Sequence, residues 1–208
     1  MHHKKFALIA ALSFFAACSS DAPTYAVDDG VRGTVSFNDA GGLDASYSAD
    51  GAISTSAFEN SPFITTWATY NWAAGYKWPY DYTTNINANI ARTSTTSDVL
   101  NIIIRGQTTG TQTIVPQCSG PNGGCSEVEL QVGFDPASSG WSRECMLLDG
   151  SITIASLTST HVTGSFSGTG TCILSGTETR TTWVVTNGTF DVPLVTKDTP
   201  GVPAVSAH

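Results

Sequence analysis

Charge is the scarcest commodity in this chain. Asp, Glu, Lys and Arg make up 12% of its 208 residues, about half the usual quarter. The shortage is also uneven, with nine Lys and Arg against 17 Asp and Glu and a formal net charge of −8. Nucleic acid and anionic headgroups are held by basic patches that displace counterions, so the composition argues against both as partners. Histidine is nearly missing: apart from His2, His3 and the terminal His208, there is only His161. No paired-histidine metal motif, P-loop or dinucleotide fingerprint occurs, so neither a metal nor a cofactor is expected. Long apolar runs are lacking too. The run from Phe6 to Ala17 is too short for the ~30 Å hydrocarbon core of a bilayer. No long helical period interrupts the chain, and no internal repeat is present.

What is present begins at the N-terminus. His2, His3, Lys4 and Lys5 lead into the apolar run, which ends at Cys18 followed by Ser19 and Ser20. A basic start and a short apolar stretch make an export signal. Phe15-Ala16-Ala17-Cys18 resembles the lipobox of bacterial lipoproteins, with Phe15 where leucine is commonest. The resemblance implies that residues 1–17 are a signal peptide and that Cys18 carries the lipid. It also implies that residues 18–30 form a tether to a protein anchored in the bacterial cell envelope. Two or three acyl chains anchor stably where one is marginal. Serines in place of an early aspartate at positions 19 and 20 imply, by the same resemblance, the outer membrane.

The cysteine count agrees with export. Five is an odd number; with Cys18 lipidated, Cys118, Cys125, Cys145 and Cys172 remain as an even set open to three disulfide connectivities. The Ser-Gly-Pro-Asn-Gly-Gly stretch between Cys118 and Cys125 lets those two meet at little strain. This favours Cys118–Cys125 and leaves Cys145–Cys172. None of these spacings has the C-x₂-C form of a zinc site.

Between the tether and a tail at 196–208 with Pro200 and Pro203, residues 31–195 are long enough for one domain with a sizeable core. Their pattern has period two. Val31, Gly33, Val35 and Phe37 alternate with polar neighbours, and Val162, Gly164 and Phe166 do the same, as do Phe190, Val192 and Leu194. Leu100–Ile104 suits a central strand with both faces covered. Asp149-Gly150, flanked by Leu147-Leu148 and Ile152, predicts a hairpin, and Asn187-Gly188 a further turn. Many short strands and frequent turns predict an all-β fold, an immunoglobulin-like antiparallel β-sandwich of two sheets, with a partly closed β-barrel as the alternative. The segments Gly150–Ile154, His161–Ser167 and Val185–Leu194 resemble the closing hairpins of uncharacterised bacterial lipoprotein β-sandwich domains. That likeness implies fold and cell-surface location, and it brings no catalytic residue with it.

Aromatic side chains concentrate between Trp67 and Tyr82, which hold three of the five tryptophans and four of the six tyrosines. If residues 76–82 are extended, Tyr76, Trp78, Tyr80 and Tyr82 share one face. With Tyr70 and Trp72 they make a candidate ligand platform on which sugar rings could stack, beside Asn85 and Asn87. Packing into a core explains the same alternation. Pro79 cannot donate to a ladder, which places this segment at a sheet edge or in a loop. Catalytic residues are not expected. Asp81, Glu127, Glu129, Asp135 and Glu144 are available to a glycosidase, but the sequence does not say which converge. The expectation is a lipid-anchored, non-enzymatic binding or structural module whose partner is a glycan or an envelope protein, with carbohydrate binding by the aromatic segment as the alternative.

Overall fold

The computed structural model describes residues 31–40, 46–50, 52–53, 72–77, 83–106, 108–115, 126–135, 137–138 and 140–196. These form twelve strands, namely β1 (Val31–Arg32), β2 (Thr34–Asp39), β3 (Ser46–Ala49), β4 (Ala52–Ile53), β5 (Trp72–Lys77), β6 (Thr83–Ala91), β7 (Ser97–Arg105), β8 (Gly110–Thr113), β9 (Glu127–Phe134), β10 (Arg143–Leu157), β11 (His161–Leu174) and β12 (Arg180–Thr196). One sheet runs β11-β10-β9-β7-β6-β5-β12-β2-β3, with β8 paired to β10. Because β11 also pairs with β12, the path returns on itself. The all-β antiparallel expectation is met, in its barrel form.

The interior follows from the alternation. Val35 and Phe37 of β2, Tyr47 and Ala49 of β3, Ile86 and Ala88 of β6, and Leu100, Ile102 and Ile104 of β7 all point inward. They meet Val128 and Leu130 of β9, Leu147 of β10 and the fully buried Trp183 of β12. Phe37 organises the aromatic part, stacking on Tyr47 at 4.5 Å and meeting Phe166 and Trp183 edge-on at 5.8 and 6.2 Å. Cys145 and Cys172 stand directly opposite each other on β10 and β11, both buried, and are bonded with their Cα atoms 3.9 Å apart. Cys118 and Cys125 lie outside the described residues.

The hairpin predicted at Asp149-Gly150 and the turn predicted at Asn187-Gly188 are not formed. Both dipeptides lie inside long strands, and the ladders shift register around them and at Phe166/Gly168. Gly150 has φ +134°, and a Cβ there would strike the backbone of Ser167 and Gly168 on β11. Turn residues supply the same positive φ to a bulge as to a hairpin; here they bend three neighbouring strands together, which curls the sheet toward closure. The closing seam is short. On one edge of β12, β2 gives way to β5, which pairs in parallel at Gly75–Lys77. Gly33 sits at that fork, where a Cβ would lie 2.7 Å from the Ala73 carbonyl oxygen and 2.8 Å from Val192.

An ion pair inside the β6–β7 hairpin holds the arginine that reaches over β3. Buried Asp98 accepts from Arg92 Nε at 2.6 Å and from the Gly133 amide at 2.9 Å, and the Arg92 guanidinium lies 5.0 Å from the centre of the Tyr47 ring. Burial opposes the Arg92 charge, but the hydrogen bond and negative charge of Asp98 outweigh it and raise its pKa. Burial, aided by Asp98, pushes the Tyr47 hydroxyl up to about 12.

Candidate functional site: a buried amide and carboxylate face

Strand β6 reads Thr-Thr-Asn-Ile-Asn-Ala-Asn-Ile-Ala. Its alternation sends Ile86 and Ala88 into the core, so Asn85, Asn87 and Asn89 project from the other side. That side is buried as well: the three asparagines are 7%, 4% and 0% exposed. Direct cross-strand partners share a face, so the register spells out three rows. Asn87 pairs with Asn101, Asn101 with Glu129, and Glu129 with Met146. On one side runs Asn85, Ile103 and Glu127; on the other, Asn89, Val99, Gln131 and Glu144. Val99 is buried yet stands outside the main core cluster, as a residue on this second face should.

Burial is graded along the rows. It is nearly complete on β6 and falls to half at Asn101, Ile103, Glu127, Glu129, Gln131, Glu144 and Met146. The face is therefore closed at the asparagine end and opens toward β9 and β10. At the closed end the Asn87 Nδ2 has no hydrogen-bond partner, and neither has the Oγ of Ser97, which precedes Val99 by two on β7 and is fully buried. Buried polar groups in folded proteins are nearly always paired, so each exception asks for a reason.

The open end is negative. Gln131 Nε2 donates to Glu129 Oε1 at 3.0 Å. Burial raises the Glu129 pKa, the Gln131 hydrogen bond lowers it, and the charges of Glu144 and Glu127 raise it again, with a net upward shift. Burial alone raises Glu127. Among the described residues no basic side chain pairs with these three carboxylates; the two ion pairs there are Arg92–Asp98 and the surface pair His161–Asp191. Nor do any three His, Cys, Asp or Glu among the described residues gather so as to hold a metal ion.

The aromatic segment is described only in part. Trp72 and Tyr76 lie in β5, in register with Asn89 and Asn85. This stretch is not at an edge, because Gly75–Lys77 is paired with β6 on one side and β12 on the other. Tyr70, Trp78, Tyr80 and Tyr82 lie outside the described residues, as do Cys18 and Asp81. Of the remaining carboxylates, Asp135 caps its own turn, accepting from the Ala137 amide at 2.9 Å and from the Ser138 hydroxyl. Glu127, Glu129 and Glu144 are the ones brought together. Ser97, Asn89, Asn101 and Gln131 do not stand out in the sequence. The signal that marks this face is the N-x-N-x-N spacing of β6, a strand period written in a residue type that strands usually avoid. The chain matches no protein-family model, no curated protein and no solved structure.

Proposed function

We propose that the chain is a non-enzymatic binding module held at the cell envelope by lipid on Cys18, and that its amide and carboxylate face takes a glycan. The observation that carries this reading is the Asn87 amide nitrogen, 4% exposed and without a partner. A buried donor left unmade costs about 1–3 kcal/mol, a cost that a ligand acceptor removes. Side-chain amides offer a donor and an acceptor together, which is what sugar hydroxyls require. A binding role is favoured over hydrolysis because the carboxylates occupy one stripe, whereas two-carboxylate hydrolysis needs them on either side of the bond.

The test is titration of the detergent-solubilised whole chain with a panel of oligosaccharides, followed by tryptophan fluorescence. Saturable binding that Asn87→Leu abolishes is expected. No response across the panel would remove the glycan reading. For the anchor, Cys18→Ser should move the protein from the membrane fraction to the soluble one; unchanged fractionation would count against lipidation.

A further inference from the structure

The same face makes two demands that one neutral sugar cannot meet, and they narrow the ligand. At the closed end Asn87 Nδ2 offers a hydrogen bond with nothing to accept it. Two strands away in the same row, Glu129 is half-buried beside Glu127 and Glu144, and among the described residues none of the three has a cationic partner. Two inter-strand spacings separate Asn87 from Glu129, roughly 10 Å, and Glu127 lies roughly 7 Å from Glu129 along β9. The ligand must therefore bring an acceptor oxygen to one end and positive charge to the other. A divalent cation supplies charge but no acceptor, and the described carboxylates form no metal-holding group.

Resting on the reading that this face binds a glycan, we propose that its ligand is an amino sugar with a free, protonated amine. Ring hydroxyls accept from Asn87 and exchange hydrogen bonds with Asn101, and the ammonium group lies among Glu127, Glu129 and Glu144. Half-buried carboxylates gain more from a bound cation than exposed ones, because screening by water is weaker there. Four asparagines in one patch suit a polyol better than a basic peptide, whose backbone offers few hydroxyls.

The experiment compares three probes on the whole chain at low salt: a glucosamine oligosaccharide with free amines, its fully N-acetylated counterpart of equal length, and a lysine-rich peptide. The free-amine form is expected to bind at least about tenfold more tightly than the acetylated form, and this preference should shrink as salt screens the charges. Glu129→Gln should remove the preference for the free-amine form; Glu144→Gln should act in the same direction and guards against a folding defect in the first variant. Equal binding of the two saccharides would overturn the amine assignment and leave the glycan reading standing. Binding of neither saccharide would overturn both, and tighter binding of the lysine peptide would overturn the amino-sugar assignment.

Discussion

The two faces of β6, β7 and β9 are made by the same strands in the same register, yet they are opposites in chemistry. One face carries Ile86, Ala88, Leu100, Ile102, Ile104, Val128 and Leu130, all at or below 2% exposure. The other carries Asn85, Asn87, Asn89, Asn101, Glu127, Glu129 and Gln131, buried or half-buried. Removing apolar surface from water stabilises a fold by about 25 cal/mol per Å², so the first face explains why the strands stay folded. Burying amides and carboxylates works against folding unless every group is paired. On the second face the Asn87 Nδ2 and the Ser97 Oγ are not. A region that folding alone would not select is the better place to look for function.

Mutations should pull the faces apart. Ile102→Ala on the apolar side leaves a cavity in the sheet's most buried row, and about 3.5 kcal/mol should be lost in urea unfolding; a loss under about 1 kcal/mol would mean that this face is not the core. Asn87→Leu, on the same sheet but facing the other way, should have the opposite sign. It replaces an unpaired donor with an apolar group of similar size, and a gain of about 1 kcal/mol is expected together with loss of ligand binding. Destabilisation by Asn87→Leu would show that its amide is paired in solution.

The smallest effect comes from protonation. The folded pKa values of Glu127 and Glu129 are raised, so the native state holds protons that the unfolded chain has released. Their contribution therefore favours folding below the usual carboxylate range and is lost as pH rises through the raised values. Glu129→Gln cannot release that proton. Its stability relative to the parent should improve as pH rises from about 4 to 7, by less than about 1 kcal/mol because half-buried groups remain partly screened. Thermal melts across that range test the sign, and a relative stability that falls toward pH 7 would refute it.

Which of this could be read along the chain depends on how local the cause is. The inward positions of β2, β7, β11 and β12 were visible as period-two alternation, because a strand's two faces are set by its own backbone. Leu100–Ile104 was legible as a central strand for the same reason. Strand β6 was not, since asparagine is usually a turn residue and an N-x-N-x-N pattern reads as polar until something is known to cover it. Asp149-Gly150 misled for a related reason: a positive φ serves a hairpin or a bulge equally well, and the difference lies in whether β11 runs alongside. The site behaved the same way. Glu127 and Glu129 at spacing two were available from the start, but that Glu144 would join them and Asp135 would not depends on the β9–β10 register.

Composition and local period, then, were enough to make this chain an all-β protein poor in charge, because solvation and backbone alternation act residue by residue. The sequence favoured pairing Cys145 with Cys172 but left three connectivities open; the register of β10 against β11 sets the two opposite each other. Closure of the sheet, the crease through its longest strands and the burial of a polar face were decided only in three dimensions. Each depends on which strand lies beside which, and pairing across the chain is governed by register and packing between residues far apart in sequence.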